Sequence, residues 1–178
     1  IFVDRIATWN GAEWAPLAGG GANELIRRLT VYDDGSGAGP ALYAGGNFTI
    51  MSGDVQTNYI AKWDGAQWAP LGSGMDGGWV YAMTGYDDGS GPALYAGGSF
   101  TTAGGVLANG IAKWDGKTWS ALPGGGIDDP FNNPRVSALT VFDDGIGDHP
   151  ALFLAGRFFT AGGVEAKNIA RWDGRTWS

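Results

Sequence analysis

Apolar and polar positions recur along this chain with a long period, and each period spells four strands. The first strand reads Leu25 to Tyr32, then Val80 to Tyr86, then Val136 to Phe142. Apolar residues fall at both parities, the pattern of a strand covered on both faces. Each copy ends in a turn signal: Asp33-Asp34-Gly35, Asp87-Asp88-Gly89 and Asp143-Asp144-Gly145. A glycine-containing loop then passes through Pro40, Pro92 or Pro150 into the second strand, Ala41 to Gly46, Ala93 to Gly98 and Ala151 to Gly156. Phe48-Thr49, Phe100-Thr101 or Phe159-Thr160 follows. A glycine-rich loop, Thr102-Ala103-Gly104-Gly105 in the middle copy, then leads to the third strand. No segment of useful length carries a helical period.

The third and fourth strands form a motif that occurs four times: Ile-Ala, one residue, then Trp-Asp/Asn-Gly and two residues before a second Trp. The tryptophan pairs are Trp9 and Trp14, Trp63 and Trp68, Trp114 and Trp119, and Trp172 and Trp177. Asn-Gly or Asp-Gly between apolar strands signals a two-residue hairpin turn. With Asp64 and Gly65 as the turn, Trp63 faces Ala66, Lys62 faces Gln67 and Trp68 faces Ala61. The same register sets Trp14 on Ala7, Trp119 on Ala112 and Trp177 on Ala170, a large-on-small cross-strand fit. It also sets Lys117 and Arg175 opposite Trp114 and Trp172, a cation–π arrangement. Eight of the nine tryptophans belong to this motif, so they read as packing residues and not as a ligand box.

Successive motifs are spaced 54, 51 and 58 residues apart, a period of the kelch-propeller kind. The expected fold is all-β: a kelch-like β-propeller with four-stranded antiparallel blades. Residues 1–22 form a half blade and 23–73, 74–125 and 126–178 three blades of one domain. Propellers close with about four to eight blades, so the chain reads as a segment of a larger ring or as a sharer of one. The endings Leu42-Tyr43-Ala44-Gly45-Gly46, Trp63-Asp64-Gly65 to Trp68 and Pro70-Leu71 resemble the kelch repeat. They are also similar to repeats of predicted secreted planctomycete-type bacterial proteins and of fungal cortical polarity-marker ectodomains. The resemblance implies an extracellular or cell-surface propeller, and implies architecture more than activity. Arg157 reads as a departure, standing where Gly46 and Gly98 stand.

The 33 glycines accompany 44% hydrophobic residues, which fits turn-rich β structure and not collagen or disorder. Cysteine is absent, removing disulfides and thiolate chemistry. A formal charge of −7 and a pI near 4.4 argue against nucleic acid as a partner. No apolar run approaches the roughly 18 residues of a spanning helix, so no membrane span is expected.

In antiparallel four-stranded units the first–second loops and third–fourth turns share one end. That end collects Asp33, Asp34, Asp64, Asp87, Asp88, Asp115, Asp143, Asp144, Asp148 and Asp173. Calcium is the ion such a cluster would take, but aspartate is also an ordinary turn residue. The run Asp-Asp-Gly lacks the alternation of an ion-wrapping loop, so no cofactor is the default. At the other end the longest loop, between Gly126 and Pro134, carries Asp128, Asp129, Phe131, Asn132 and Asn133. This is the candidate ligand-facing loop, with a tolerated surface insertion as the alternative. Catalysis finds little support. His149 is the single histidine, and paired carboxylates that follow the repeat read as structural, although a glycosidase uses such pairs. Asn47-Phe48-Thr49 fits the glycosylation pattern. The expectation is a non-catalytic extracellular or cell-surface scaffold binding protein or glycan. One alternative is a structural subunit self-associating through open blade edges. The other is a segment of a glycan-active hydrolase or lyase whose site lies outside this chain.

Overall fold

The computed structural model describes residues 4–131 and 133–178, and these form strands and loops without a helix. A two-stranded sheet comes first, β1 (Ala7–Trp9) with β2 (Trp14–Pro16). The first full unit comprises β3 (Ile26–Tyr32), β4 (Ala41–Gly46), β5 (Ile50–Met51), β6 (Val55–Gln56), β7 (Ile60–Trp63) and β8 (Trp68–Pro70). The second comprises β9 (Met75–Asp76), β10 (Val80–Asp87), β11 (Pro92–Gly98), β12 (Thr102–Ala103), β13 (Val106–Leu107), β14 (Ile111–Trp114) and β15 (Trp119–Ala121). The third comprises β16 (Ile127–Asp128), β17 (Arg135–Phe142), β18 (Ala151–Arg157), β19 (Thr160–Ala161), β20 (Val164–Glu165) and β21 (Ile169–Trp172). The main sheets are antiparallel meanders, β3-β4-β7-β8, β10-β11-β14-β15 and β17-β18-β21, the last extended by a bridge from Trp172 to Trp177. The described residues form several such small sheets and no closed ring.

Two features depart from the sequence reading. The glycine-rich loop after the second strand is itself a hairpin, β12-β13 and β19-β20, and β9 or β16 pairs with its first arm. Gly104 and Gly105 turn it with φ of +58° and +82°, a conformation that costs glycine nothing. The tryptophan hairpin is also in a different register. Trp63 pairs with Trp68, Lys62 with Ala69 and Ala61 with Pro70, and the other copies follow suit. The loop therefore holds four residues. Asp64 Oδ1 accepts the N–H groups of Ala66 and Gln67, both at 2.8 Å, while Asp64 N–H donates to Gln67 O. This ring of bonds needs positive φ only at Gly65. Indole faces indole, not alanine: the ring centroids in the four copies lie 5.4, 6.5, 5.2 and 5.0 Å apart at about 46°, a tilted aromatic pair. Lys117 and Arg175 sit in the loops, and among the described residues neither lies over a ring.

The core lies between sheets. Tyr43 and Ile60 of the first unit pack with Val80, Met83 and Phe100 of the second. Tyr86, Tyr95 and Ile111 of the second pack with Val136, Leu139 and Trp172 of the third. Indole N–H groups tie each unit to the one before it: Trp68 to Gly20 O, Trp119 to Leu71 O and Trp177 to Pro123 O, at 2.8–3.1 Å. The glycine pair has two jobs. A Cβ on Gly45 or Gly97 would lie 2.5 or 2.6 Å from Cγ1 of Val80 or Val136 in the next unit. A Cβ on Gly46, Gly98 or Gly156 would strike the carbonyl of Leu25, Trp79 or Arg135 at 1.9–2.1 Å. The pairing register equates Gly156 with Gly46 and Gly98, and Ala155 with Gly45 and Gly97. The departure in the third unit is thus Ala155, and Arg157 corresponds to Asn47 and Ser99. The substitution falls at the position that elsewhere receives a neighbour's valine.

Candidate functional site

The acidic end resolves into two kinds of aspartate. The first of each pair holds its turn: Asp33 accepts from Gly35 N–H at 3.0 Å, Asp143 from Gly145 at 3.0 Å, and Asp87 from Gly89 and Gly91 at 2.9 and 3.0 Å. The second accepts a backbone N–H too, from Ser36, Ser90 or Ile146, and then reaches the cation in the third strand. Lys62 donates to Asp34, Lys113 Nζ to both oxygens of Asp88 at 2.7 Å, and Arg171 Nε to Asp144 at 2.7 Å. Tyr43 and Tyr95 hydroxyls also donate, to Asp34 at 3.0 Å and Asp88 at 2.7 Å. Phe153 replaces the tyrosine in the third unit, and Arg171 adds a bond to Ile146 O at 2.7 Å. The cations occupy the variable place of Ile-Ala-x-Trp, which is basic in all three full units.

These bonds set the titration of the groups. Burial works to raise the Asp34 and Asp88 carboxyls, but hydrogen bonds from Lys62 or Lys113, from serine and from tyrosine outweigh it. Asp34 is held far below the usual carboxylate range and Asp88 at about 2. Asp144 is lowered by the Ile146 N–H and by Arg171. Burial, then the bond to their aspartates, pushes Tyr43 and Tyr95 well above an ordinary phenol. Tyr32 is pushed up to about 12 by burial and by the charges of Asp34, Asp33 and Asp87. A carboxylate that already accepts from an ammonium, a phenol and an amide has few lone pairs left for an ion. Among the described residues no group of three or more histidine, aspartate or glutamate side chains is placed to hold a metal. His149 is exposed and borders a cleft of about 420 Å³ with Tyr86, Val141 and Pro150.

At the opposite end the predicted loop divides. Asp128 ends strand β16 opposite Thr160. With Asn133 it lines a cleft of about 320 Å³ shared with Ser99, Thr101 and Asn109. Asp129 instead accepts from Phe131 N–H at 3.0 Å, and Phe131 is 82% exposed. Asn132 lies outside the described residues. An adjoining cleft of about 430 Å³ is lined by Tyr59, Trp79, Tyr81, Ser99, Asn133 and Arg135. Gly77, Ser99 and Asn133 belong to both.

Sequence reasoning missed this aromatic half. Its signal was the ninth tryptophan, Trp79, the one outside the repeated motif. Leu25 and Arg135 occupy its place in the other units. Trp79 is 40% exposed and meets Tyr81 edge-on at 6.2 Å. The Arg27 guanidinium lies 5.5 and 5.2 Å from the two ring centroids and donates through Nε to Asn47 Oδ1. Tyr59 holds φ at +75° where Gly110 holds +81°, Asn168 +69° and, in the leading hairpin, Arg5 +66°. Glycine and asparagine are ordinary occupants of that region, whereas a tyrosine there carries strain of about 1 kcal/mol or more. Set against protein-family models, curated proteins and solved structures, the chain gives no match.

Proposed function

We propose that this chain is part of a kelch-like β-propeller serving, without catalysis of its own, as an extracellular or cell-surface scaffold that binds a protein or glycan partner. One observation carries the reading. The end rich in carboxylates spends them on its own turns and lysines, while the opposite end offers two adjoining clefts whose residues do not follow the repeat. Binding groups need free hydrogen-bonding capacity and a concave setting. The clefts of the acidic end are bordered by Asp88, Arg171 and Asp173, already bonded to their own partners, beside Asp148 and His149, whereas the second end sets amides beside exposed aromatic rings. Hydrogen–deuterium exchange of the chain, with and without the extracellular protein and glycan fraction of the producing cells, tests this. Protection is expected in residues 75–81, 99–110 and 127–135. Protection confined to the Asp-Asp-Gly loops, or none anywhere, would remove the reading.

A second reading, self-association through open faces, is favoured by a specific contrast. Phe142 and Ile169 on the outer side of the third unit are 59% and 62% exposed, whereas their counterparts in the middle unit, Tyr86 and Ile111, are 6% and 0% exposed. Leu29, at 44%, contrasts likewise with Met83 at 0%. These faces would be covered by further blades, from the same chain or from other copies. Sedimentation that rises with concentration and is lost in Ile169→Asp would support contact between copies. A monomer at every concentration would leave the binding reading alone.

A further inference from the structure

From the paired clefts we infer a specific ligand class for that end: an oligosaccharide of at least two pyranose rings, one against Trp79 and Tyr81, the next among Asn133, Asn109 and Asp128. The inference rests on the binding reading above and assigns it a locus and a chemistry.

A pyranose presents a flat face of C–H groups edged by hydroxyls that both donate and accept. Its natural counterpart is an aromatic face ringed by short polar side chains. The larger cleft has this composition: rings from Tyr59, Trp79 and Tyr81, then the Ser99 hydroxyl, the Asn133 amide and the Arg135 guanidinium. Arg27 packs over the Trp79 and Tyr81 rings but does not line the cleft, so it braces the aromatic wall. Across Ser99 and Asn133 the smaller cleft turns polar, with Thr101, Asn109 and Asp128. Two amides and a hydroxyl offer donors and acceptors together, and the Asp128 carboxylate can accept from two neighbouring hydroxyls. A peptide would be served differently, by an open sheet edge or by deep apolar pockets for its side chains. These clefts supply ring faces, amides and hydroxyls, with one carboxylate and one guanidinium, instead.

Backbone conformation gives independent support. At the turn that Gly110 and Asn168 fill in the other full units, the chain keeps a tyrosine in the left-handed region, as it keeps Arg5 at the same turn of the leading hairpin, where the arginine side chain bonds Ala22 O. Strain of this kind persists where the side chain is wanted, and Tyr59 borders the aromatic cleft. The departures from the repeat therefore converge on one place: Trp79 for Leu25 or Arg135, Tyr81 for Arg27 or Ser137, and Tyr59 for Gly110 or Asn168.

The test is calorimetric titration of the full chain with cellohexaose, laminarihexaose, xylohexaose, chitohexaose and a hexameric polyuronate, with tryptophan fluorescence as a second readout. At least one probe should bind with Kd below about 1 mM. Trp79→Ala should weaken it about tenfold or more, Trp79→Tyr should retain most of it, and Asp128→Asn should weaken it less. Asp148→Asn, at the far end, should leave it unchanged, and circular dichroism should match for all variants. Failure of every probe to bind overturns the saccharide class. Binding that survives Trp79→Ala overturns the locus while leaving the scaffold reading intact. Capture of an extracellular protein, lost in Trp79→Ala with no saccharide bound, overturns the ligand class and keeps both locus and scaffold.

Discussion

The two ends of the sheets use polar residues in opposite ways. At one end Asp34, Asp88 and Asp144 recur with the repeat and spend their oxygens on backbone N–H groups and on Lys62, Lys113 and Arg171. At the other, Tyr59, Trp79 and Asn133 do not recur and face clefts. Convergence of charge alone is thus a poor sign of a site. Recurrence marks what each sheet needs in order to fold. A position that departs from recurrence, keeps free hydrogen-bonding groups and tolerates strain marks something the sheet does not need.

The largest effect that would break this contrast is Asp88→Ala. It leaves the Lys113 ammonium, whose side chain is only 14% exposed, without its carboxylate, and removal of one partner of a mostly buried pair costs about 3 kcal/mol. Asp87→Ala removes turn bonds in solvent and should cost about 1 kcal/mol or less. Urea unfolding of both variants measures the difference, and equal losses would mean the two aspartates are not distinct in role. The triple change Asp88→Leu, Lys113→Met and Tyr95→Phe should recover most of the stability, because neither a charge nor the buried Tyr95 hydroxyl is left stranded.

Acid titration gives the next effect. Asp88 has a folded pKa of about 2 against an ordinary value near 3.9, and Asp34 and Asp144 are lowered too. A depressed folded pKa means the stabilisation is complete above the unfolded value and is lost as pH falls through the folded one. The unfolding free energy should therefore hold down to about pH 5 and fall steeply between about pH 4 and pH 2, by about 2 kcal/mol for Asp88 alone, with the melting temperature falling over the same range. In Asp88→Ala that portion of the slope should vanish. A slope unchanged by the substitution would place the acid sensitivity elsewhere.

Much of the fold was legible because it repeats. The strands of the main sheets stand within a residue or two of their predicted limits, the fourth of the last unit shrinking to a bridge at Trp177, since an apolar strand bounded by Asp-Gly and by glycine pairs leaves little freedom. What escaped was two-residue structure. β12 and β13 are too short for any alternation to show, and Asp64-Gly65 permits either a two-residue or a four-residue loop. The choice fell to the carboxylate, which bonds two successive N–H groups in the longer loop. The salt links were partly visible as a basic residue in every Ile-Ala-x-Trp of the full units, but their aspartate partners lie 25 to 28 residues away. Asp128 and Asn133 were picked out by loop length, and the clefts they line depend on the approach of Ser99 and Asn109 from another unit. Trp79 was visible as the odd tryptophan, yet its exposure depended on packing no single strand reveals.

Tyr59→Gly separates folding from binding at one residue. The substitution relieves left-handed strain of about 1 kcal/mol at a turn where Gly110 already serves the next unit. It also removes a ring that packs in part against the core cluster between the first and second units, a loss of about the same size when a side chain is only half-buried. The two should nearly cancel, leaving urea stability within about 1 kcal/mol of the parent. Saccharide affinity should fall several-fold all the same, because the ring borders the aromatic cleft. Tyr59→Asn, which also suits the left-handed region, should bind as weakly as Tyr59→Gly. If either variant binds as tightly as the parent, the tyrosine is there for packing alone, and the contrast between the two ends rests on Trp79.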